Sequence, residues 1–127
     1  MARDLRFGFG LHAAPPRQSS VQDWAHRAED MGYDVLHVPD HLGAPAPFPT
    51  LMTAAAATEK LHVGTFVLNA GGFYKAALLA RDVMAMHDLT GGRLELGLGT
   101  GYVEAEFAAA EIPFPSAGAV GPPAPRR

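Results

Sequence analysis

The chain contains no cysteine in its 127 residues, which rules out a disulfide framework and thiolate chemistry and fits a reducing compartment. Basic runs are also missing. Apart from Arg126-Arg127 no cluster of Lys or Arg occurs, and the formal net charge is −3, so nucleic acid is not an expected partner. Long hydrophobic runs are absent too. The longest weakly polar stretch, Met52 to Ala57, falls far short of the roughly 20 residues that cross a bilayer, so no membrane partner is expected. No apolar stretch of secretory length follows Met1-Ala-Arg-Asp-Leu-Arg, and the expected setting is therefore soluble and cytoplasmic.

What is present is apolar content and turn residues. Hydrophobic residues make up 48% and charged residues 18%, enough to bury a core within one domain at most. Fourteen Gly and eleven Pro imply many turns.

Along the chain, short β-like runs alternate with amphipathic helical ones. Leu5 to Leu11 alternates apolar residues with polar ones or Gly, which predicts a strand. A Pro-containing loop follows to Ser20. Ser19 with Gln22, or Ser20 with Asp23, has capping-box spacing, and Val21, Trp24, Ala25, Ala28 and Met31 share one helical face until Gly32 stops the helix. Tyr33 to Val38 predicts a second strand, ended by Pro39. A helix from about Thr50 to Lys60 is expected, with Pro49 in its first turn. Leu61 to Leu68 is β-branched and aromatic, a third strand, with Asn69-Ala-Gly-Gly as its loop. The next helix carries Leu78, Leu79, Val83, Met86 and Leu89 on one face and ends at Thr90-Gly91-Gly92. Arg93 to Gly99 forms a fourth strand, with Leu94, Leu96 and Leu98 on one side, and Tyr102 to Ala110 a last helical stretch. Four β-α units imply a parallel sheet with right-handed crossovers. Periodicity alone leaves two architectures open, a flavodoxin-like open sheet and a (β/α) barrel.

Four pieces, in order and at consistent spacing, resemble the luciferase-like monooxygenase superfamily, in particular its coenzyme F420-dependent branch. They are Phe7-Gly8 opening the first strand, Asp40-His41 after the second, Leu61-His-Val-Gly-Thr-Phe-Val-Leu on the third, and Leu89-Thr-Gly-Gly-Arg-Leu-Glu-Leu-Gly-Leu-Gly-Thr-Gly through the fourth. Ala105-Glu-Phe-Ala-Ala-Ala-Glu-Ile-Pro-Phe-Pro resembles the stretch that follows in that family. The resemblance implies a (β/α)₈ barrel of the bacterial-luciferase type, of which residues 1–117 make about four β-α units, the N-terminal half. Residues 118–127 read as a Pro-rich flexible tail.

Barrel enzymes place their chemistry at the C-terminal strand ends. By resemblance His41 is the catalytic residue, a proton donor or a group touching the deazaflavin ring, with a side chain suited to neutral pH. The bland alternative is a surface His in a Pro-rich loop. Asp40 matches a residue that hydrogen-bonds the coenzyme ring, or else serves an Asx turn or helix cap. Asn69 matches a polar coenzyme contact, or is simply a turn residue. Phe66-Val67 falls where relatives carry a non-prolyl cis peptide against the ring. Gly97-Leu-Gly-Thr-Gly101 resembles a glycine-rich cradle, with coenzyme contact through the amides of Thr100 and Gly101, although glycines also serve close packing.

Two positions depart from the sugar-phosphate dehydrogenases of this group. Tyr102 stands where they carry a catalytic Glu, and Ala105 where they place a coenzyme-binding Asn. This argues against their substrate and leaves the acid–base partner of His41 unassigned. His37, Asp40 and His41 suggest a metal only by spacing. With Pro39 intervening the two imidazoles do not share a face, and no metal is expected.

Three functions remain in play. The first is an F420-dependent oxidoreductase moving a hydride between the deazaflavin and a small organic substrate, incomplete as this chain. The second is a monooxygenase of the same superfamily using FMN. The third is a non-catalytic fragment or coenzyme-binding module that assembles with a partner. The inward strand faces are expected to be apolar, formed by Phe7 and Phe9 or by Leu94, Leu96 and Leu98, so that self-association into a homo-oligomer is expected to recover their lost cover.

Overall fold

A computed structural model describes residues 4–115. The expected tail, residues 118–127, and the boundary drawn at 117 lie outside the described residues. Among the described residues four parallel strands are present: β1 (Gly8–Gly10), β2 (Val35–Val38), β3 (His62–Asn69) and β4 (Leu94–Gly99). They alternate with the helices α1 (Val21–Asp30), α2 (Pro47–Ala57), α3 (Ala76–Leu89) and α4 (Glu104–Ala109). The strand order is β1-β2-β3-β4. Sequential order without a reversal is the grammar of a barrel wall and lacks the switch point of a doubly wound sheet. Among the described residues no helix is long and apolar enough to cross a membrane.

Local chemistry sets the element ends. Of the two candidate serines, Ser20 caps α1: its Oγ accepts from Asp23 N at 3.0 Å while Asp23 Oδ2 accepts from Ser20 N at 2.9 Å. Gly32, at φ +82°, ends that helix. Helix α2 starts three residues before the expected Thr50, because Pro47 and Pro49 both fit a first turn that needs no N–H donors. It stops at Ala57 rather than Lys60, because Thr58 turns extended and returns its hydroxyl to Ala54 O at 2.9 Å. Strand β1 is three residues long, not seven, since among the described residues it has a partner on one side only. Asn69, expected in the loop, is the last residue of β3 and pairs with Gly99. Helix α4 is also shorter than expected, starting at Glu104 instead of Tyr102.

Register sorts the two faces of the sheet. Phe9, Leu36, Val63 and Leu94 align across the four strands. They pack with Ala25 and Ala28 of α1 and with Leu51, Ala54 and Ala55 of α2, so this face carries the core. Arg93 closes its lower corner, donating to Ala55 O (2.8 Å), Leu61 O (2.9 Å), Thr90 O (2.9 Å) and Thr58 Oγ1 (3.2 Å). Glu29 does the same for the chain entering β3, accepting from the amides of Glu59, Lys60 and Leu61.

On the opposite face the aligned row is Gly10, His37, Gly64 and Glu95. The expectation of an apolar inward face is therefore corrected. Phe9 and Leu94 lie under the helices, and Leu96 and Leu98 follow Leu94 by the period of two. The inward wall is glycine and polar: Glu95 pairs with Arg6 and lies 2.9 Å from His62 Nδ1. The Arg6 hydrogen bond first, then the Arg6 and His62 charges, hold the Glu95 carboxyl below its usual range against the opposing effect of burial. Burial pushes His37 down, opposed by the charge of Glu95.

The helical face expected on α3 is only partly used. Met86 is buried, but Leu78 and Leu89 are exposed, because among the described residues no strand pairs with the free side of β4.

Candidate active site

Strand polarity brings the expected residues to one rim. Pro39 ends β2 and turns the chain so that Asp40 and His41 follow directly at the strand's C-terminal end. Asp40 is 9% exposed. Its Oδ2 accepts from the Asn69 backbone N–H at 2.9 Å, which ties the exit of β2 to the end of β3. Tyr74 closes over the same carboxylate. Burial first, then the Asp40 charge and a hydrogen bond to it, push the phenol up to about 12. Asp40 thus positions Asn69 whatever else it touches.

Asn69 is also buried, and its Oδ1 has no hydrogen-bond partner among the described residues. A buried amide oxygen without a partner costs roughly 1–3 kcal/mol, which marks Asn69 as a position to be explained.

The Phe66-Val67 peptide bond is cis, as the resemblance implied. Around it the register of β3 against β4 shifts between Thr65 and Leu68. Phe66 turns to the inward face, its ring 5.6 Å from that of His37, and with Gly8, Gly10, His12, His37 and Pro39 lines a hollow of about 210 Å³. Val67 faces β4, where a Cβ on Gly99 would come within 2.5 Å of Val67 Cγ2. Both side chains are open to solvent.

At the end of β4, Gly101 takes φ +80°, and a Cβ there would meet the Asn69 amide at 2.6 Å and Phe107 Cε2 at 2.7 Å. Part of the space expected for the coenzyme at this glycine is therefore filled by the chain itself. The amide N–H groups of Thr100 and Gly101 make no hydrogen bond within the described residues. Two free donors, an orphaned acceptor on Asn69 and a flat wall of glycines around Phe66-Val67 fit a planar, polar-edged ring. No Lys or Arg lies in the Gly97–Gly101 turn, so these residues supply amides and no positive charge.

His41 is held from the side. Its Nδ1 lies 3.0 and 3.2 Å from the two oxygens of Glu106, and Glu106 Oε1 also accepts from Leu42 N at 3.0 Å. The Tyr102 ring stands edge-on to His41, centroids 5.8 Å apart. Glu106 was missed in the sequence, where it is one acid among Glu104, Glu106 and Glu111. Its neighbour Phe107, fully buried between Phe73 and Phe114, is what turns Glu106 toward the β2 exit. A cleft of about 390 Å³ opens beside this pair, lined in part by Asp40, His41, Phe73 and Tyr74. His37 and His41 lie in different places, the first on the inward wall and the second at the rim. Among the described residues no group of three or more acids and histidines converges as a metal site.

Sheet order and rim together are those of a (β/α)-barrel wall, with Asp40, His41, Asn69 and Gly101 at its C-terminal strand ends. The chain belongs to the luciferase-like monooxygenase family, whose model matches residues 5–120. It is similar to proteins named F420-dependent glucose-6-phosphate dehydrogenase: 32% identical over 117 residues to that of Gordonia bronchialis (86% of this chain, 35% of the relative). The protein of that name from Nocardia farcinica is 36% identical over 113 residues (83% of this chain, 34% of the relative). Among solved structures, the coenzyme F420-dependent tetrahydromethanopterin reductase of Methanopyrus kandleri superposes with a TM-score of 0.72 at 25% identity, covering 88% of this chain and 31% of that one. The chain thus spans about a third of the length of the proteins it matches.

Proposed function

We propose that this chain supplies the coenzyme rim and the proton-handling histidine of an F420-dependent oxidoreductase acting on a small organic substrate. The single observation that carries the reading is a braced histidine, His41, held at a strand-end rim beside an orphaned Asn69 amide oxygen. The F420 dependence of the relatives supplies the choice of coenzyme. When bound, the deazaflavin carries hydride chemistry that no side chain can supply.

The roles of the chain's own residues follow from placement. Phe66 and Val67 form the wall on which a planar ring rests. Asn69 Oδ1 as acceptor and the Thr100 and Gly101 amides as donors would hold the polar groups of the coenzyme. Asp40 holds the Asn69 backbone in place, with Tyr74 over the same carboxylate. His41 exchanges a proton through Nε2 with the substrate side. The relatives' glucose 6-phosphate is not the substrate proposed here, because Tyr102 and Ala105 replace an acid and an amide in the pattern of those enzymes. The complete active unit is proposed to be a homo-oligomer.

Titrating the purified chain with F420 and, separately, FMN while following absorbance and fluorescence tests the proposal. Binding of F420 that weakens in Asn69→Ala is expected. Preference for FMN would move the chain to the monooxygenase reading, and binding of neither would leave a structural module. In an active form, His41→Ala is expected to lower turnover by about 10²–10⁴ while coenzyme affinity holds. Equal turnover removes His41 from the mechanism.

A further inference from the structure

We infer that Glu106 is a positioning residue that locks the neutral His41 imidazole in its Nδ1–H tautomer, so that Nε2 alone is left to exchange protons at the rim. The inference deepens the proposed role of His41 and rests on it for its catalytic meaning, but the tautomer itself is a property of this chain without any coenzyme.

The geometry gives the direction. Both Glu106 oxygens lie within hydrogen-bond distance of His41 Nδ1, at 3.0 and 3.2 Å. An ionised carboxylate offers lone pairs only, so the hydrogen between the two groups belongs to Nδ1. Free histidine in water favours the opposite tautomer, and the bond made at one ring nitrogen decides where the proton sits on the other. Glu106 cannot swing away cheaply, because Oε1 also takes the Leu42 amide at 3.0 Å, the next residue along the turn. One carboxylate therefore fixes both the ring and the backbone that carries it. Its side chain is 15% exposed against 37% for His41, which places the brace inside and leaves the far edge of the imidazole open.

The brace is itself set by packing. Phe107 is fully buried, with its ring 5.1 Å from those of Phe73 and Phe114, and its carbonyl accepts from Ile112 N at 2.9 Å. Anchoring α4 at Phe107 points the preceding side chain at the turn after β2. Tyr102, edge-on to the imidazole, limits rotation from the other side. The arrangement resembles the orienting acid of a hydrolase triad in physical logic only: the acid orients, the imidazole carries the proton, and the acid itself need not give one up.

Histidine nitrogen shifts read the tautomer directly. The chain labelled with ¹⁵N-histidine gives six ring systems, and the signal lost in His41→Ala identifies the one at issue. In its neutral form, His41 is expected to show a protonated Nδ1 and a bare Nε2. In Glu106→Ala the pattern should move toward Nε2–H, and Glu106→Gln should restore Nδ1–H, because the amide oxygen can accept both bonds that Oε1 accepts now. Unchanged signals from the other five histidines report that the fold is kept. Magic-angle-spinning spectra of sedimented protein read the same shifts whatever its state of association. A parent chain with His41 in the Nε2–H form overturns the inference, even should Glu106→Ala fail to fold. An unchanged tautomer in a folded Glu106→Ala overturns it equally. Failure of coenzyme binding with the Nδ1–H tautomer intact would instead sink the proposed function and spare the brace.

Discussion

Gly101→Ala should destabilise the chain far more than an equally left-handed glycine elsewhere, and the excess can be worked out from its surroundings. Gly101 sits at φ +80°, where an L side chain costs roughly 1–2 kcal/mol. The new Cβ would also fall 2.6 Å from the Asn69 amide and 2.7 Å from Phe107. Phe107 cannot retreat cheaply, being wedged between two rings, so the Asn69 amide would have to swing aside. Overpacking of this kind costs typically 1–3 kcal/mol more, for a total of about 2–5 kcal/mol out of the 5–15 kcal/mol of an ordinary domain. Gly43 is the control. It has φ +88° with nothing within 4 Å of its would-be Cβ, so Gly43→Ala should lose only the backbone contribution, about 1–2 kcal/mol. Urea unfolding followed by circular dichroism separates the two. With a slope of about 2 kcal/mol per molar, an excess of 2 kcal/mol lowers the midpoint by about 1 M. Equal midpoints in the two variants would refute the packing argument, and Gly101 would then be a ligand-facing glycine alone. F420 titration of a folded Gly101→Ala adds a second reading: displacement of Asn69 should weaken binding along with stability.

Three other outcomes follow from the packing and charges. Arg93→Ala should cost about 3 kcal/mol in the same unfolding assay, because it strands four acceptors, including the buried Ala55 carbonyl and Thr58 hydroxyl; a change below 1 kcal/mol would mean water replaces them. Glu95 has a folded-state pKa held below its ordinary 4.5, chiefly by the Arg6 hydrogen bond. Its contribution is therefore complete above that value and is lost as pH falls through the lowered one. Glu95→Gln should flatten the loss of stability on acidification below pH 4.5 relative to the parent, and parallel curves would show the pair contributes nothing. Sedimentation at several concentrations should show self-association, driven by the exposed Met84, Leu89, Leu96 and Leu98 along the α3–β4 flank; a concentration-independent monomer would contradict it.

Sequence pattern was enough for the elements that depend on near neighbours. The Ser20 box, the Gly32 stop and the alternation of β-α units are local chemistry, and all eight elements fall where periodicity places them, to within a few residues at their ends. The strand-end rim was legible for the same reason, since parallel strands put Asp40, His41, Asn69, Thr100 and Gly101 on one side of the sheet wherever the sheet forms. Which way a strand faces was not legible. Leu94, Leu96 and Leu98 have the same period whether they face helices or a barrel interior, and only the pairing of Leu94 with Val63, beside Leu36, shows that they point to the helical side, where Leu94 joins the core and Leu96 and Leu98 stay exposed.

The partnerships that brace the site were beyond reach for a related reason. His41 and Glu106 are 65 residues apart, Arg6 and Glu95 are 89 apart, and Asp40 meets Asn69 across 29. Each contact exists because register aligns β2, β3 and β4 and because Phe107 docks the last helix against the loop after β3. Glycine content carries the same lesson. A Cβ on Gly64 would lie 2.7 Å from the Glu95 carbonyl, and one on Gly97 would lie 2.5 Å from the Thr65 carbonyl. These glycines answer to the close approach of neighbouring strands on the inward face, not to turns. The same bareness leaves that wall flat beside Phe66 and Val67, so close packing of the sheet and room for a planar ligand share one cause. Substituting either glycine would disturb both at once, whereas Glu106 and Asn69 can be changed without moving a strand. They are the positions at which the chemistry of the rim separates from the stability of the sheet.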